Sequence, residues 1–123
     1  MAGTHSTNRY LYEILTARPS LPISRKLTAL DASDGFIHLS TSEQTSATAS
    51  RFFASESTIW LAKLDRAKLE FGPGELKWEA SKNHGVFAHL YDADIDENTV
   101  AEVKELSRAD GQTWDDILSD LEP

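Results

Sequence analysis

Residues 34–44 read Asp34-Gly-Phe-Ile-His-Leu-Ser-Thr-Ser-Glu-Gln44. The Asp-Gly pair is a turn signal. Phe36-Ile-His-Leu-Ser40 then predicts a short strand in which the apolar residues Phe36, Ile37 and Leu39 bracket a histidine. Thr41 follows as an N-cap. Gln44 stands three residues on as the second half of a capping box, and Glu43 lies in the first turn, where it suits the helix dipole. This predicts a helix over Ser42–Ala54 with Ala49, Phe52 and Phe53 on its apolar side.

Toward the N-terminus, Tyr10–Thr16 alternates as a strand, with Tyr10, Tyr12 and Ile14 on one face and Leu11, Glu13 and Leu15 on the other. A loop with Pro19 and Pro22 leads to a short helical turn over Leu27–Asp31. Toward the C-terminus, Thr58–Leu64 is apolar on both faces and reads as a central strand. One helical turn over Asp65–Leu69 follows. Then come strands over Leu76–Ala80, Val86–Tyr91 and Thr99–Leu106, with a turn at Asn83-His84-Gly85. Thr113 caps a last helix, Trp114–Leu121, whose first turn holds Asp115 and Asp116. Six short strands and two or three helices, not regularly interleaved, argue against a doubly wound parallel sheet. The expected class is α+β with a mixed or mainly antiparallel sheet. Phe52, Phe53, Trp60, Leu61 and Leu64 are its expected core.

A length of 123 residues suits one core. Residues 1–8 are small and polar and are expected to be a flexible tail, leaving 9–123 as a single domain. There is no cysteine, which excludes a disulfide scaffold, a thiol nucleophile and an iron–sulfur site. No apolar run approaches the ~18 residues of a membrane span. The opening MAGTHSTNRY has no apolar stretch after a basic cluster, so a cytoplasmic location is expected. Twelve Lys and Arg against 20 Asp and Glu give a net charge of −8, which disfavours nucleic acid as a main partner. The expected partner is a small-molecule ligand, and the oligomeric state is open.

Four titratable residues interrupt apolar strands: Glu13, His38, Glu79 and His89. A buried charge costs several kcal/mol unless paired. Such residues are therefore either satisfied, solvated side chains or parts of a polar network on a pocket wall. Alternation places His38 with Phe36 and Ser40, and His89 with Phe87 and Tyr91. His38, Glu79 and His89 are expected to share one cavity with Ser40 on its rim. As a metal site the three lack any local ligand spacing, and no metal is expected. As an acid–base pair, the two histidines fit small-molecule chemistry. No nucleophile elbow, phosphate loop or dinucleotide fingerprint is present.

Six blocks, Tyr12-Glu-Ile-Leu15, Gly35-Phe-Ile-His-Leu-Ser-Thr41, Arg51-Phe-Phe53, Trp60-Leu-Ala-Lys-Leu64, Lys77-Trp-Glu79 and Phe87-Ala-His-Leu-Tyr91, give the chain a family resemblance. Together they resemble domain-of-unknown-function family 952, which is similar in fold to the ADP-ribosyltransferase superfamily. The resemblance implies a split mixed or antiparallel sheet with short flanking helices and a cleft for a small polar or nucleotide-like ligand. It implies that His38 holds a polar group of the ligand and that Ser40 and Thr41 lie near a ribose. Glu79 would bond a ribose hydroxyl and stabilise positive charge, while His89 and Tyr91 close the wall. Glu79, His38 and His89 are thus the expected catalytic residues, and Glu13, Ser40, Thr41, Arg51, Trp78 and Tyr91 the expected ligand-binding set. The chain departs from the family at Glu13, where many members carry histidine. An acid there opposes a dinucleotide's phosphates, so no cofactor is expected, NAD included. Three functions stay open: a divergent nucleotide-type cleft, a non-NAD enzyme using His38 and His89, and a binding module without chemistry.

Overall fold

A computed structural model of the protein describes residues 8–81 and 84–123. The elements run β1 (Tyr10–Leu15), α1 (Ala29–Asp34), β2 (Ile37–Leu39), α2 (Ser42–Phe52), β3 (Thr58–Asp65), α3 (Arg66–Glu70), β4 (Glu75–Ser81), β5 (Gly85–Tyr91), β6 (Val100–Ser107) and α4 (Trp114–Leu118). The strands form two three-stranded antiparallel sheets, ordered β1-β3-β6 and β2-β5-β4. The class is α+β. No helix among the described residues is long and apolar enough to cross a membrane.

Alternation along each strand builds two cores. Leu11, Leu15, Ala62 and Leu64 of the first sheet meet Ile37, Leu39, Ala88 and Leu90 of the second. The opposite face of the first sheet, with Tyr12, Ile14, Ile59 and Leu61, packs on Ala49 of α2 and on Trp114 and Leu118 of α4. This is why β3, apolar on both faces, lies between β1 and β6. The layers are therefore helices, first sheet, second sheet. The far face of the second sheet carries His38, Glu79, His89 and Tyr91, the polar side of its alternation. The sheets are joined directly at Tyr12 and Ser40, which exchange backbone hydrogen bonds of 2.8 and 2.9 Å.

Both halves of the capping box of α2 are present. Thr41 Oγ1 accepts from the Gln44 N–H at 3.3 Å, and Gln44 Oε1 accepts from the Thr41 N–H at 3.0 Å. The Gln44 amide also donates to the Val86 carbonyl at 2.6 Å, pinning α2 to β5. Gly35 ends α1 at φ 82°, a left-handed conformation that glycine adopts without strain, and turns the chain into β2. Gly74 is required for space: a Cβ there would lie 2.6 Å from both the Tyr91 carbonyl oxygen and the Ala93 Cβ.

Several expectations are corrected. The first helix is Ala29–Asp34 rather than Leu27–Asp31, because Thr28 is its cap and accepts from the Asp31 N–H at 3.0 Å. Four helices form among the described residues, one more than expected. Helix α2 ends at Phe52, and α4 ends at Leu118. Phe52 is 61% exposed and is not core. Successive helical residues diverge by about 100°, and Phe53 takes the inward side. It leaves the helix at φ −125°, packs against the second core and accepts from Trp114 Nε1 at 2.9 Å. Trp60 is only partly buried against the first core, while Leu61 and Leu64 are buried. Of the expected tail, residues 1–7 lie outside the described residues, and Asn8 is buried with its carbonyl accepting from Arg66. Asn83 of the expected turn also lies outside them.

Candidate functional site: a histidine–carboxylate face

Antiparallel pairing sets His38 of β2 directly opposite His89 of β5. Their rings meet edge to face, with centroids 5.3 Å apart. On β4, Glu79 stands opposite Phe87 and so lies diagonal to His89 on the same sheet face. Its Oε1 lies 2.7 Å from His89 Nδ1 and accepts from the Tyr91 hydroxyl at 2.6 Å. Phe36 roofs the group, its ring centroid 4.2 Å from that of His89, 4.6 Å from His38 and 4.9 Å from Tyr91. The Lys77 ammonium lies 4.8 Å from the centre of the Tyr91 ring. His38, Glu79 and His89 therefore converge on one face of the second sheet.

The two histidines have different partners. His38 Nδ1 is 2.6 Å from Asp31 Oδ1, and its Nε2 is 2.8 Å from Asp34 Oδ2. Asp31 and Asp34 are three residues apart, on one side of α1. Only an imidazolium supplies a proton to both carboxylates. Burial alone would lower the pKa of His38, but the hydrogen bonds and charges of Asp31 and then Asp34 outweigh it and raise the pKa above 6.5. Glu79 is held below the ordinary carboxylate range by the Tyr91 hydroxyl and then by His89. The Tyr91 hydroxyl, bonded to Glu79, is pushed up to about 12 and stays a proton donor. His89 Nδ1 is the ring nitrogen turned to the Glu79 carboxylate. The arrangement is one imidazole oriented by a carboxylate beside a second held between two carboxylates.

Other expected site residues take other places. Glu13 is 3% exposed and points into the core between the sheets, opposite Ala62. Burial, then the charge and hydrogen bond of Asp31, raises its pKa well above 4.5. It lines no cleft and is no charged barrier to a phosphate. Trp78 emerges from the opposite face of β4, packs on the first core and carries the Arg66 guanidinium 5.3 Å from its ring centre. Arg51 is exposed at the end of α2, over Phe52. Thr41 is buried as a helix cap, and Ser40 is buried where the sheets join. Sequence reading missed Asp31, Asp34 and Phe36 as parts of the site. The spacing of the two aspartates, followed at once by a glycine stop and the histidine strand, is the signal that points to them.

An α+β protein with a histidine–carboxylate face is the class that fold and site define. The chain belongs to the family described as protein of unknown function DUF952, whose model matches residues 15–103. It is similar to the crystal structure of protein CC0527 from Caulobacter crescentus, with 32% identity, a TM-score of 0.69, and coverage of 89% of this chain and 98% of that one. A double methionine mutant of the same protein matches with 31% identity, a TM-score of 0.68 and the same coverage. Curated proteins give no match.

Proposed function

We propose that the protein is an acid–base catalyst for a small polar or nucleotide-like ligand bound on the outer face of the second sheet. His89 is the base, Glu79 and Tyr91 orient it, and His38 supplies a fixed positive charge beside the reacting group. The observation that carries this reading is the Tyr91–Glu79–His89 relay facing a doubly bonded imidazolium. The ligand is a small molecule rather than a nucleic acid or membrane, in keeping with a net charge of −8, and the setting is cytoplasmic. The paired three-stranded sheets support an ADP-ribosyltransferase-like architecture as part of the same reading. In that frame Glu79 is also the group for a ribose hydroxyl, through the carboxylate oxygen not taken by His89 and Tyr91.

A second reading, binding without catalysis, is favoured by one observation: both nitrogens of His38 are already engaged by carboxylates. One screen separates the two. Histidine ring NMR signals are followed while nucleoside monophosphates, sugar phosphates and short carboxylic acids are added one at a time. A ligand that moves His38 and His89 together is then assayed for turnover with wild type and Glu79→Gln. Losing the orienting carboxylate should reduce turnover ~10²–10⁴-fold. Hits that perturb neither histidine would place the site elsewhere and sink the proposal. Binding at these rings without turnover of any hit favours the second reading.

A further inference from the structure

We propose that Glu13 is a positioning residue for this site: its carboxyl carries a proton and donates it in a buried hydrogen bond to Asp31, which orients Asp31 for the His38 ring. The inference deepens the reading of His38 as the site's fixed cation and rests on it. Glu13 and Asp31 are each 3% exposed and come from different elements, β1 and α1. Glu13 Oε1 and Asp31 Oδ2 receive no donor from any N–H or hydroxyl. Among the described residues no Lys or Arg forms an ion pair with either carboxyl. Two buried carboxylates, each with an oxygen that receives no donor, cannot lie beside each other in the core at tolerable cost. A hydrogen bond between two carboxyls needs one proton, and the more deeply isolated group, Glu13, is where burial and the neighbouring charge keep it.

The consequence runs through Asp31 alone. Its Oδ1 receives both the backbone N–H of His38 at 3.1 Å and the ring at Nδ1, so it fixes the strand and the ring together. Its own backbone N–H is held by the Thr28 cap. With Oδ1 spent on His38, a donor at the other oxygen stops the carboxylate from rotating. A charged Glu13 would instead push it away. Glu13 thus holds the cation in place from behind the sheet without reaching the ligand.

Two readouts that need no substrate test this. The first is the infrared carbonyl stretch of a protonated carboxylic acid in wild type at neutral pH, compared with Glu13→Gln. The band should be present in wild type and lost in the variant; its absence from wild type overturns the proposal. The second is the NMR titration of His38. Glu13→Gln keeps a donor for Asp31 and should leave the midpoint raised. Glu13→Leu removes the donor and should move the midpoint down toward 6.5. A folded Glu13→Leu with the wild-type midpoint overturns the positioning role. If Glu13→Leu does not fold, the wild-type band decides alone. A shifted midpoint together with failure of every ligand in the screen above would remove the catalytic reading and leave this one standing.

Discussion

At the scale of single residues, the site's protonation equilibria are tied to folding stability. His38 has a folded pKa above its unfolded 6.5. Its contribution is complete below pH 6.5 and is lost as pH rises through the folded value. Glu13 follows the same sign from a lower start: its contribution is complete below 4.5 and is lost as pH rises through its raised folded value. Glu79 opposes both, contributing above 4.5 and losing that contribution as pH falls through its depressed value. The melting temperature should therefore fall as pH rises above 4.5 and through the raised folded values of Glu13 and His38. His38→Gln should flatten the part above 6.5, and Glu13→Gln the part between 4.5 and the raised Glu13 value. A wild-type curve that rises across this range would contradict the assignment. The faces of His38, His89 and Glu79 were legible in the sequence because a period of two leaves no choice once the strands are placed. Alternation put Glu13 on the face of Leu11 and Leu15, yet the sequence reading set it against a ligand, and neither its burial nor its partner was legible. Asp31 lies 18 positions on, and no local rule announces a contact of that range.

At the scale of elements, the helix caps and the one buried tryptophan are what substitutions should expose. Thr41→Ala removes the acceptor that starts α2 and should cost about 1 kcal/mol in chemical denaturation. Trp114 is 1% exposed and seals the second core, so Trp114→Ala should cost ~3–5 kcal/mol. Phe52→Ser, one residue from the buried side of α2, should stay within about 0.5 kcal/mol. Equal losses in Phe52→Ser and Trp114→Ala would mean that α2 packs the other way round. The neighbouring phenylalanines show why helix ends read poorly from sequence. The capping box marks the start of α2 with two mutually bonded residues, whereas no glycine or proline marks its end. An end misplaced by two residues assigned both rings to the core, although only Phe53 turns inward.

At the scale of the whole molecule, net charge sets what can approach. A charge of −8, with His38 and Lys77 as the cations of the site face, gives little purchase to a pyrophosphate. No glycine-rich turn offers backbone donors to phosphates. Calorimetric titration with NAD should show no micromolar binding, and a micromolar dissociation constant would refute this. Glu13 plays no part in that expectation, since its side chain is buried away from any ligand. The α+β class was legible because short strands and capped helices follow one another without a βαβ rhythm. The division of six strands into two sheets was not, because pairing partners such as β1 with β3 and β2 with β5 are chosen by three-dimensional packing rather than by neighbouring sequence.

Among the described residues the direct backbone connection between the sheets is one residue pair, Tyr12 with Ser40, and this has a consequence for how the protein opens. The first sheet is covered on both faces, by α2 and α4 on one side and by the second sheet on the other. The second sheet packs on the first through one face, and its other face carries the partly exposed histidine–carboxylate group. Its amide protons should exchange with deuterium sooner, as a separate cooperative unit, while those of β3 persist until global unfolding. The amides of Tyr12 and Ser40 should follow the faster set, since either sheet's departure frees them. The histidine face would then ride on the more readily opened half of the molecule, with the doubly covered sheet as its anchor.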